Sequence, residues 1–241
     1  IDYDKVLDYH IDNKADITMV YTKHTARLGV LHSVNTLTVD ETGRIRQIKY
    51  APELSKNDNA FINMYVLKRS LLINILKESI ATNKKYFVAD VIAKRLRSYN
   101  VMGYLHEGYV ATISSLQTYY DRTMDLLDYD VRHELFGDRG VFTKIRDSAP
   151  TKYGYNAVVS NSMIADGCTI EGEVENSVLF RGVKIARGTK VKNCILMQNT
   201  RVGENVTLNY IITDKNVVIS DRENLSGAEN HCFYIPKGSM I

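Results

Sequence analysis

The sequence contains few of the residues that would assign it to a specialised class of protein. It has no tryptophan, only three prolines and only three cysteines, Cys168, Cys194 and Cys232, among 241 residues. The cysteines are odd in number and far apart, without a C-x-x-C pair, so they indicate neither a disulfide framework nor a zinc site. We therefore expect free, buried thiols and a reducing, cytoplasmic location.

Charge and hydropathy exclude two further classes. Residues 1–145 carry 20 basic and 18 acidic side chains, and residues 146–241 carry 11 and 10, so no basic surface predicts binding to nucleic acid. No segment approaches the roughly 20 apolar residues that span a bilayer, and no secretory signal is visible, so we expect no membrane partner. The chain begins Ile1-Asp2-Tyr3 without a methionine, from which we expect a segment upstream.

Helical and strand patterns alternate over the first 130 residues, which predicts an α/β layer architecture. The predicted elements are helices at 4–13, 71–80, after Asp90 and at 113–127, the last with Thr112 or Ser114 as N-cap, and strands at 15–22, 36–40, 44–50, 60–68 and 100–106. Residues from about 130 to 153 are rich in glycine and are predicted to be a linker with one short strand. The predicted domains are therefore residues 1–145, including the linker, and residues 146–241.

In the second predicted domain, aliphatic residues recur at six-residue intervals. The predicted inward-facing residues are Val158, Ile164, Ile170, Leu179, Ile185, Val191, Leu196, Val202, Leu208, Ile212 and Val218. The four groups start 21, 17 and 16 residues apart, as expected for coils of about 18 residues in a left-handed parallel β-helix. Gly167, Gly188 and Gly203 suit its corners. The alternative is a β-sandwich, in whose strands apolar and polar residues would alternate with period two.

Four segments resemble the ADP-glucose pyrophosphorylase, or glucose-1-phosphate adenylyltransferase, family: 1–21, 39–45, 108–127 and, most closely, 160–185. The resemblance implies the C-terminal part of a Rossmann-like nucleotidyltransferase domain followed by the β-helix. It also implies a role in glycogen biosynthesis, where ATP and glucose 1-phosphate give ADP-glucose and pyrophosphate with Mg²⁺ as cofactor.

The same resemblance implies a degenerate substrate site in this chain. Lys49 lies near the place of a Glu-Lys pair that holds the sugar phosphate, and Asn63 replaces the glycine of a Ser-Met-Gly segment. Asp90 is retained, whereas Thr112 stands where the family has a metal-binding aspartate. Because Mg²⁺ prefers carboxylate ligands, we predict no catalytic or metal-binding residue in this chain. The chain thus resembles the regulatory, GlgD-type subunit, and Mg²⁺ is expected only in the assembled enzyme.

The partners that the resemblance implies are a catalytic adenylyltransferase subunit, self-association into a tetramer, and a sugar-phosphate or other anionic effector. Open ends of a short β-helix also favour association. Arg181 and Lys184 are the candidate effector-binding residues. They belong to a basic stretch, Arg181, Lys184, Arg187, Lys190 and Lys192, whose alternative interpretation is a solvated face.

Two other functions are compatible with the patterns. The first is an active glucose-1-phosphate adenylyltransferase whose substrate and metal ligands lie at other positions of the sequence than those named above. The second is a hexapeptide acyltransferase or a structural β-helix protein. Acyltransferases of this kind use a coil histidine as general base, but residues 154–230 contain no histidine, and His231 follows the last clear repeat.

Overall fold

The computed structural model describes residues 1–23, 34–50, 55–137, 141–142 and 147–241. The chain forms two compact units, Ile1–Thr112 and Ile113–Ile241. The predicted domain boundary, between residues 145 and 146, lies in the segment 143–146, which is outside the described residues. No helix in the described ranges combines the length and the apolar character needed to cross a membrane.

The first unit is an α/β sheet with the predicted alternation of elements. In chain order these are α1 Tyr3–Asp12, β1 Ile17–Lys23, β2 Thr36–Val39, β3 Ile45–Lys49, β4 Asn59–Leu67, α2 Arg69–Ala81 and β5 Val101–Leu105. The sheet order is β3-β2-β4-β1-β5, with β1 parallel to β5 and the other pairs antiparallel. The sheet therefore has one end at which β1 and β5 finish and β4 starts.

Helices cover both faces of this sheet, because neighbouring residues of a strand point to opposite sides. Ile17 and Met19 of β1 enter a buried cluster that includes Ile75 of α2. Thr18, between them, contacts α1 on the opposite side through the 2.8 Å hydrogen bond between His10 Nδ1 and Thr18 Oγ1. The layers agree with the predicted Rossmann-like architecture.

The predicted short helix after Asp90 has different bounds in the structure. A π-helical turn, Phe87–Ile92, starts before Asp90 and is followed by a 3₁₀ turn, Ala93–Arg95. The Asp90 carboxylate accepts hydrogen bonds from the backbone N–H groups of Lys85 and Tyr86 at 3.1 and 3.0 Å. Asp90 thus caps the entry to the turn, which is why the helical segment extends upstream of it.

The buried histidine of α1 makes the stability of the first unit sensitive to acid. His10 is 6% exposed, and burial, followed by the charge of Lys68, lowers its pKa below 6.5. Since the unfolded chain then binds the proton more readily, stability is full above about pH 6.5 and falls as the pH drops toward the lowered pKa. We expect urea unfolding, followed by circular dichroism, to show lower stability at pH 5 than at pH 7.

The matched variants for this pH effect are His10→Gln and His231→Gln. His231 is exposed in the second unit and takes no part in the buried contact between His10 and Thr18, so it is the matched control site. His10→Gln should make the stability of the protein less dependent on pH. An unaltered pH profile in His10→Gln would contradict this assignment.

The second unit is a parallel β-helix flanked by two helices. Its described helices are α3, Leu116–Met124, and α4, Tyr129–Phe136. Its described strands, β6 to β20 in order, are Lys152–Tyr153, Val158–Ser160, Met163–Ile164, Thr169–Ile170, Glu173–Glu175, Val178–Leu179, Lys184–Ile185, Lys190–Lys192, Ile195–Leu196, Arg201–Val202, Thr207–Asn209, Ile211–Thr213, Val218–Ile219, Asn224–Ser226 and Phe233–Ile235.

These strands stack into three parallel sheets that form the sides of a triangular prism. Their orders are β18-β15-β12-β9-β6, which we call face 1, β19-β16-β13-β10-β7, face 2, and β20-β17-β14-β11-β8, face 3. Paired residues such as Lys184, Arg201 and Val218 follow one another at 17-residue steps. This spacing agrees with the predicted coil length.

Eight of the eleven predicted inward residues belong to the β-helix core or pack against it. The prediction was wrong for Val158, Ile212 and Val218, which are one residue out of phase. Val158 pairs with the exposed Glu173 and is itself 59% exposed, and Val218 pairs with the exposed Arg201. The residues that align with the inward rows are their neighbours Val159, Thr213 and Ile219. A one-residue shift moves a side chain to the other face of a strand.

Asparagine is the commonest residue at the positive-φ corners of the β-helix. Gly167 and Gly188 have positive φ angles of 75° and 71°, as predicted for corners, but Gly203 does not, and the corner after it is Asn205. The other asparagines with positive φ in this part of the chain are Asn161, Asn176, Asn193, Asn199 and Asn216. Asparagine tolerates the left-handed conformation better than most residues with a side chain.

Face 3 of the β-helix is covered by α3. The helix begins at Leu116 with Ser115, rather than the predicted Thr112 or Ser114, as N-cap, because Ser115 and Thr118 form a capping box. Tyr120 packs on Val178 and Ile195, and its hydroxyl donates to the Asn193 carbonyl at 3.0 Å. Helix α4 lies inside the segment predicted as a linker, so that part of the prediction was wrong.

Candidate functional site

An open cleft of about 500 Å³ lies in the first unit, near the sheet edge where β3 ends and β2 begins. Its lining residues are Asn35, Tyr50, Asn63, Tyr65 and the segment Lys85–Ala89. Edges at which strands end are common sites of ligand binding in α/β folds, because loops from several strands meet there.

A bulge in β4 places Asn63 in the cleft. The pairing between β1 and β4 shifts after Val20, which leaves two extra residues on β4, and Asn63 takes a positive φ of 62° there. The Asn63 Oδ1 atom accepts a 2.8 Å hydrogen bond from the Tyr65 hydroxyl. The Tyr65 ring in turn contacts Phe87 edge-on at 5.5 Å between centroids. Asn63 is therefore oriented by the aromatic wall of the cleft.

Asp90 follows the lining residue Ala89, and local hydrogen bonds engage its carboxylate. The N–H of Tyr86, with that of Lys85 and the charge of Lys94, lowers the pKa of Asp90 below its usual value. Lys94 Nζ lies 3.6 Å from Asp90 Oδ1. Burial raises the pKa of Tyr50, and the charge of Asp90 raises it further, so Asp90 and Tyr50 are near neighbours. Asp90 is an anion at neutral pH, but its oxygens are already paired.

The structure brings only some of the predicted substrate-binding positions together. Asn63 lines the cleft, and Lys49, the last residue of β3, precedes the lining residue Tyr50. Asp90 follows the lining residue Ala89. Thr112 is exposed in an irregular segment and is not among the cleft-lining residues.

Apart from Asn63, sequence reasoning did not predict the amide and aromatic lining of the cleft. Asn35, Tyr50, Tyr65 and Tyr86 come from four separate segments, so no spacing in the sequence joins them. Aromatic faces, amide groups and the cation Lys85 can together contact a polar ligand. Within the described ranges, no group of three or more His, Cys, Asp or Glu side chains is placed to hold a metal ion.

The structure separates the two predicted effector residues. Arg181 Nε donates to Asp166 Oδ1 at 2.9 Å, so its charge is paired. Within the same basic stretch, the other paired cations are Arg187 with Glu171 at 3.7 Å, Lys190 with Glu173 at 3.5 Å and Lys192 with Glu175 at 3.2 Å. Lys184 is exposed on face 1 and has no ion-pair partner in the part of the chain that the structure describes.

The fold and these positions define a class: an α/β nucleotidyltransferase-like part joined to a hexapeptide β-helix. Residues 148–231 match the family described as GlmU-like, C-terminal hexapeptide. This match and the stacked coils confirm the predicted hexapeptide β-helix.

The resemblance to ADP-glucose pyrophosphorylases is confirmed by individual relatives. The chain is 34% identical over 182 residues to the glycogen biosynthesis protein GlgD of Bacillus subtilis, covering 75% of this chain and 53% of that protein. It is 28% identical over 210 residues to a glucose-1-phosphate adenylyltransferase of Clostridium perfringens, covering 84% and 53%. A Bacillus cereus protein of the same name is 28% identical over 230 residues, covering 92% and 59%. The chain spans little more than half the length of these relatives.

Proposed function

We propose that this chain is part of a regulatory, catalytically weak subunit of a glucose-1-phosphate adenylyltransferase in glycogen biosynthesis. The similarity to a glycogen biosynthesis protein and to adenylyltransferases supports the pathway. Two observations support the regulatory role: the retained carboxylate of Asp90 caps a turn, and Thr112 has no charge.

The argument depends on what nucleotidyl transfer requires. Such reactions use a divalent ion that bridges phosphate oxygens and offsets the charge that develops toward the leaving pyrophosphate. Mg²⁺ is held by one or two protein carboxylates. The described residues of the cleft do not fit this need, because Asp90 already binds two backbone N–H groups and Lys94. We therefore place no Mg²⁺ ligand in this segment and expect the ion only in the assembled enzyme.

Exposed apolar side chains on the terminal coils support association with other subunits. Tyr155 and Val158 are exposed on the first coils, and Phe233 and Met240 are exposed on the last. The outer strands of a short β-helix have unpaired backbone groups, which are stabilised when a further protein covers them. A tetramer with a catalytic subunit satisfies this requirement.

The test is a comparison of the full-length protein alone with its mixture with a catalytic subunit. With ATP, glucose 1-phosphate and Mg²⁺, we expect no turnover near the usual kcat of about 1–10³ s⁻¹ from the protein alone. We expect the co-expressed mixture to differ from the catalytic subunit alone in kcat or in effector response. Ordinary turnover by the protein alone would instead support the active-enzyme alternative.

Asp90→Asn gives a sharper test of the role of Asp90. If Asp90 only caps a turn, this variant should melt at a lower temperature, because an amide is a weaker acceptor than a carboxylate for two backbone N–H groups. Its effect on the catalytic partner should stay unchanged. Lys94→Gln, which keeps both hydrogen bonds, is the control. Loss of the partner effect in a folded Asp90→Asn protein would show that Asp90 contributes directly to that effect, and would contradict a purely local capping role.

A further inference from the structure

A pocket of about 260 Å³ lies in the second unit, where α3 meets the corner between faces 2 and 3 of the β-helix. Two asparagines of that corner, Asn176 and Asn193, line it. The other lining residues are two tyrosines, a methionine and three acids: Tyr120, Tyr210, Met124, Asp121, Asp125 and Glu229. The pocket is smaller than the sites that hold drug-sized ligands, so it suits a single small group.

Tyr210 takes a strained backbone conformation at this corner. The same corner is formed in the three preceding coils by Asn161, Asn176 and Asn193, which all have positive φ. Tyr210 follows them in the next coil and has a φ of 53°. The left-handed conformation is costly for a bulky residue, whereas asparagine tolerates it. Because backbone strain of this kind is concentrated at functional sites, Tyr210 marks the pocket as a candidate binding site.

The strained residue places its ring beside that of Tyr120. The two ring centroids are 6.2 Å apart, and the ring planes are tilted by 55°. Tyr120 is 5% exposed, and its hydroxyl donates to the Asn193 carbonyl. Within the described ranges no group donates to the Tyr120 oxygen, so its capacity to accept a hydrogen bond is unused. Tyr120 therefore gives the pocket an aromatic surface and a free acceptor.

The acids of the pocket come from α3 and from the loop before β20, and one glutamine links these two segments. Gln117 Nε2 donates to Asp121 Oδ1 at 2.8 Å and to the Glu229 carbonyl at 2.9 Å. Arg122 forms an ion pair with Asp125 at 2.9 Å. Asp121 and Glu229 have no ion-pair partner in the part of the chain that the structure describes. Two negative charges at the pocket are therefore unbalanced.

Most polar groups of the lining accept hydrogen bonds. Carboxylates are acceptors only, and the Tyr120 hydroxyl has already donated its proton. The corner amides of Asn176 and Asn193 donate to the next coil. The lining residues, all of them in the described part of the chain, include no lysine, arginine or histidine. An ammonium group fits this lining, because it supplies three donors and a positive charge that aromatic faces attract.

We propose that this pocket binds a primary alkylammonium group, either of a free amine or at the end of a lysine side chain. Asp121 and Glu229 supply the negative charge that balances it, through charge-assisted hydrogen bonds. The rings of Tyr120 and Tyr210 contact the cation and its alkyl chain, and Met124 adds an apolar contact. The same acids repel an anion. The site lies in the second unit and does not depend on the proposed regulatory function.

The experiment is an NMR titration of the full chain with butylammonium chloride, and separately with Nα-acetyl-lysine amide, at constant ionic strength. We expect saturable binding that Asp121→Asn/Glu229→Gln weakens by about tenfold or more, since one charge-assisted hydrogen bond corresponds to roughly this factor in affinity. Tighter binding of the lysine derivative would identify a peptide side chain as the occupant, and equal or weaker binding would identify the amine alone; both results support the site. Butanol has the same alkyl chain without the charge, and binding of butanol as tight as that of butylammonium would contradict recognition of a cation.

Glu173→Gln/Glu175→Gln is the matched control, because it removes the same charge from face 2. It should leave butylammonium binding unchanged. Tyr210→Asn adds a test that misfolding does not explain, since it restores at this corner the asparagine of the preceding coils. This variant should keep the circular dichroism of the wild type yet bind butylammonium several-fold more weakly, whereas Tyr210→Phe, which keeps the ring, should bind nearly as well as the wild type. Equal weakening by both double variants, or no saturable binding by the wild type, would overturn the proposal.

Discussion

Leu196→Ala is expected to lower the free energy of unfolding of the β-helix by about 2–5 kcal/mol. Leu196 is fully buried in β14 and packs in the inner row of the central coils. Truncation removes apolar contacts and leaves a cavity, because the coils above and below are held at a fixed spacing by their backbone hydrogen bonds. Urea unfolding followed by circular dichroism measures the loss.

Two control variants distinguish a lost core contact from a general effect of mutation. Leu196→Met keeps nearly the same volume and should cost less than about 1.5 kcal/mol. Thr207→Ala, on the outer side of β16, should stay within about 0.5 kcal/mol of wild type. A small loss for Leu196→Ala, comparable with that of Thr207→Ala, would mean that the inner row does not carry the stability of the β-helix.

Asn193→Ala is the second substitution for which we expect a large effect, about 2–4 kcal/mol, since it combines backbone strain with lost hydrogen bonds. Asn193 has a φ of 53°, which costs little for asparagine and more for alanine. Its Oδ1 accepts from Asn176 at 2.6 Å, and its Nδ2 donates to Asn209 at 3.0 Å. The residue is buried, so both neighbouring amides would be left with fewer partners.

Asn193→Gly separates these two causes. Glycine adopts the positive φ freely, so this variant should lose only the side-chain hydrogen bonds and should be less damaging than Asn193→Ala. Asn205, with a φ of 57° and an exposed side chain, is the matched site. There, alanine should cost only the backbone strain of roughly 1–2 kcal/mol, and glycine almost nothing. Equal losses for Asn193→Gly and Asn205→Gly would rule out a contribution from the amide ladder.

The sequence was sufficient to predict the β-helix because its core repeats in a simple way. One aliphatic residue per six fills the prism, and Ile170, Leu179 and Ile185 follow this rule. The rule failed at Val158, Ile212 and Val218, where two aliphatic residues are adjacent and either has the composition of a core residue. At Ile212 the outward side chain is also apolar because α3 covers it. Periodicity does not distinguish a core position from a position under a packed helix.

The corners were only partly predicted, since glycine was used as the sole marker. Asn199 and Asn216 continue, in later coils, the corner that begins with Gly167 and Gly182. A rule that treats asparagine like glycine at hexad boundaries would have found most of them. It would not have found Tyr210 or Arg222, which also have positive φ.

The candidate site was less predictable than the fold because its residues come from distant segments. Motif likeness singled out Asn63, which lines the cleft, and Asp90, which follows the lining residue Ala89, but it gave no information on what their side chains bind. The pairing of Asp90 with backbone groups depends on the local turn. The separation of Arg181 from Lys184 likewise required the position of Asp166, which lies one coil earlier.

The column of stacked amides also determines what deamidation of one asparagine would do to the β-helix. Asn161, Asn176, Asn193 and Asn209 pass hydrogen bonds from one coil to the next, each amide donating to the following oxygen. Spontaneous deamidation at Asn193 would replace its donor with a second acceptor, so that a carboxylate would face the oxygen of Asn209. Deamidation of this one residue would thereby remove the hydrogen bond from Asn193 to Asn209 and place a negative charge in a buried position.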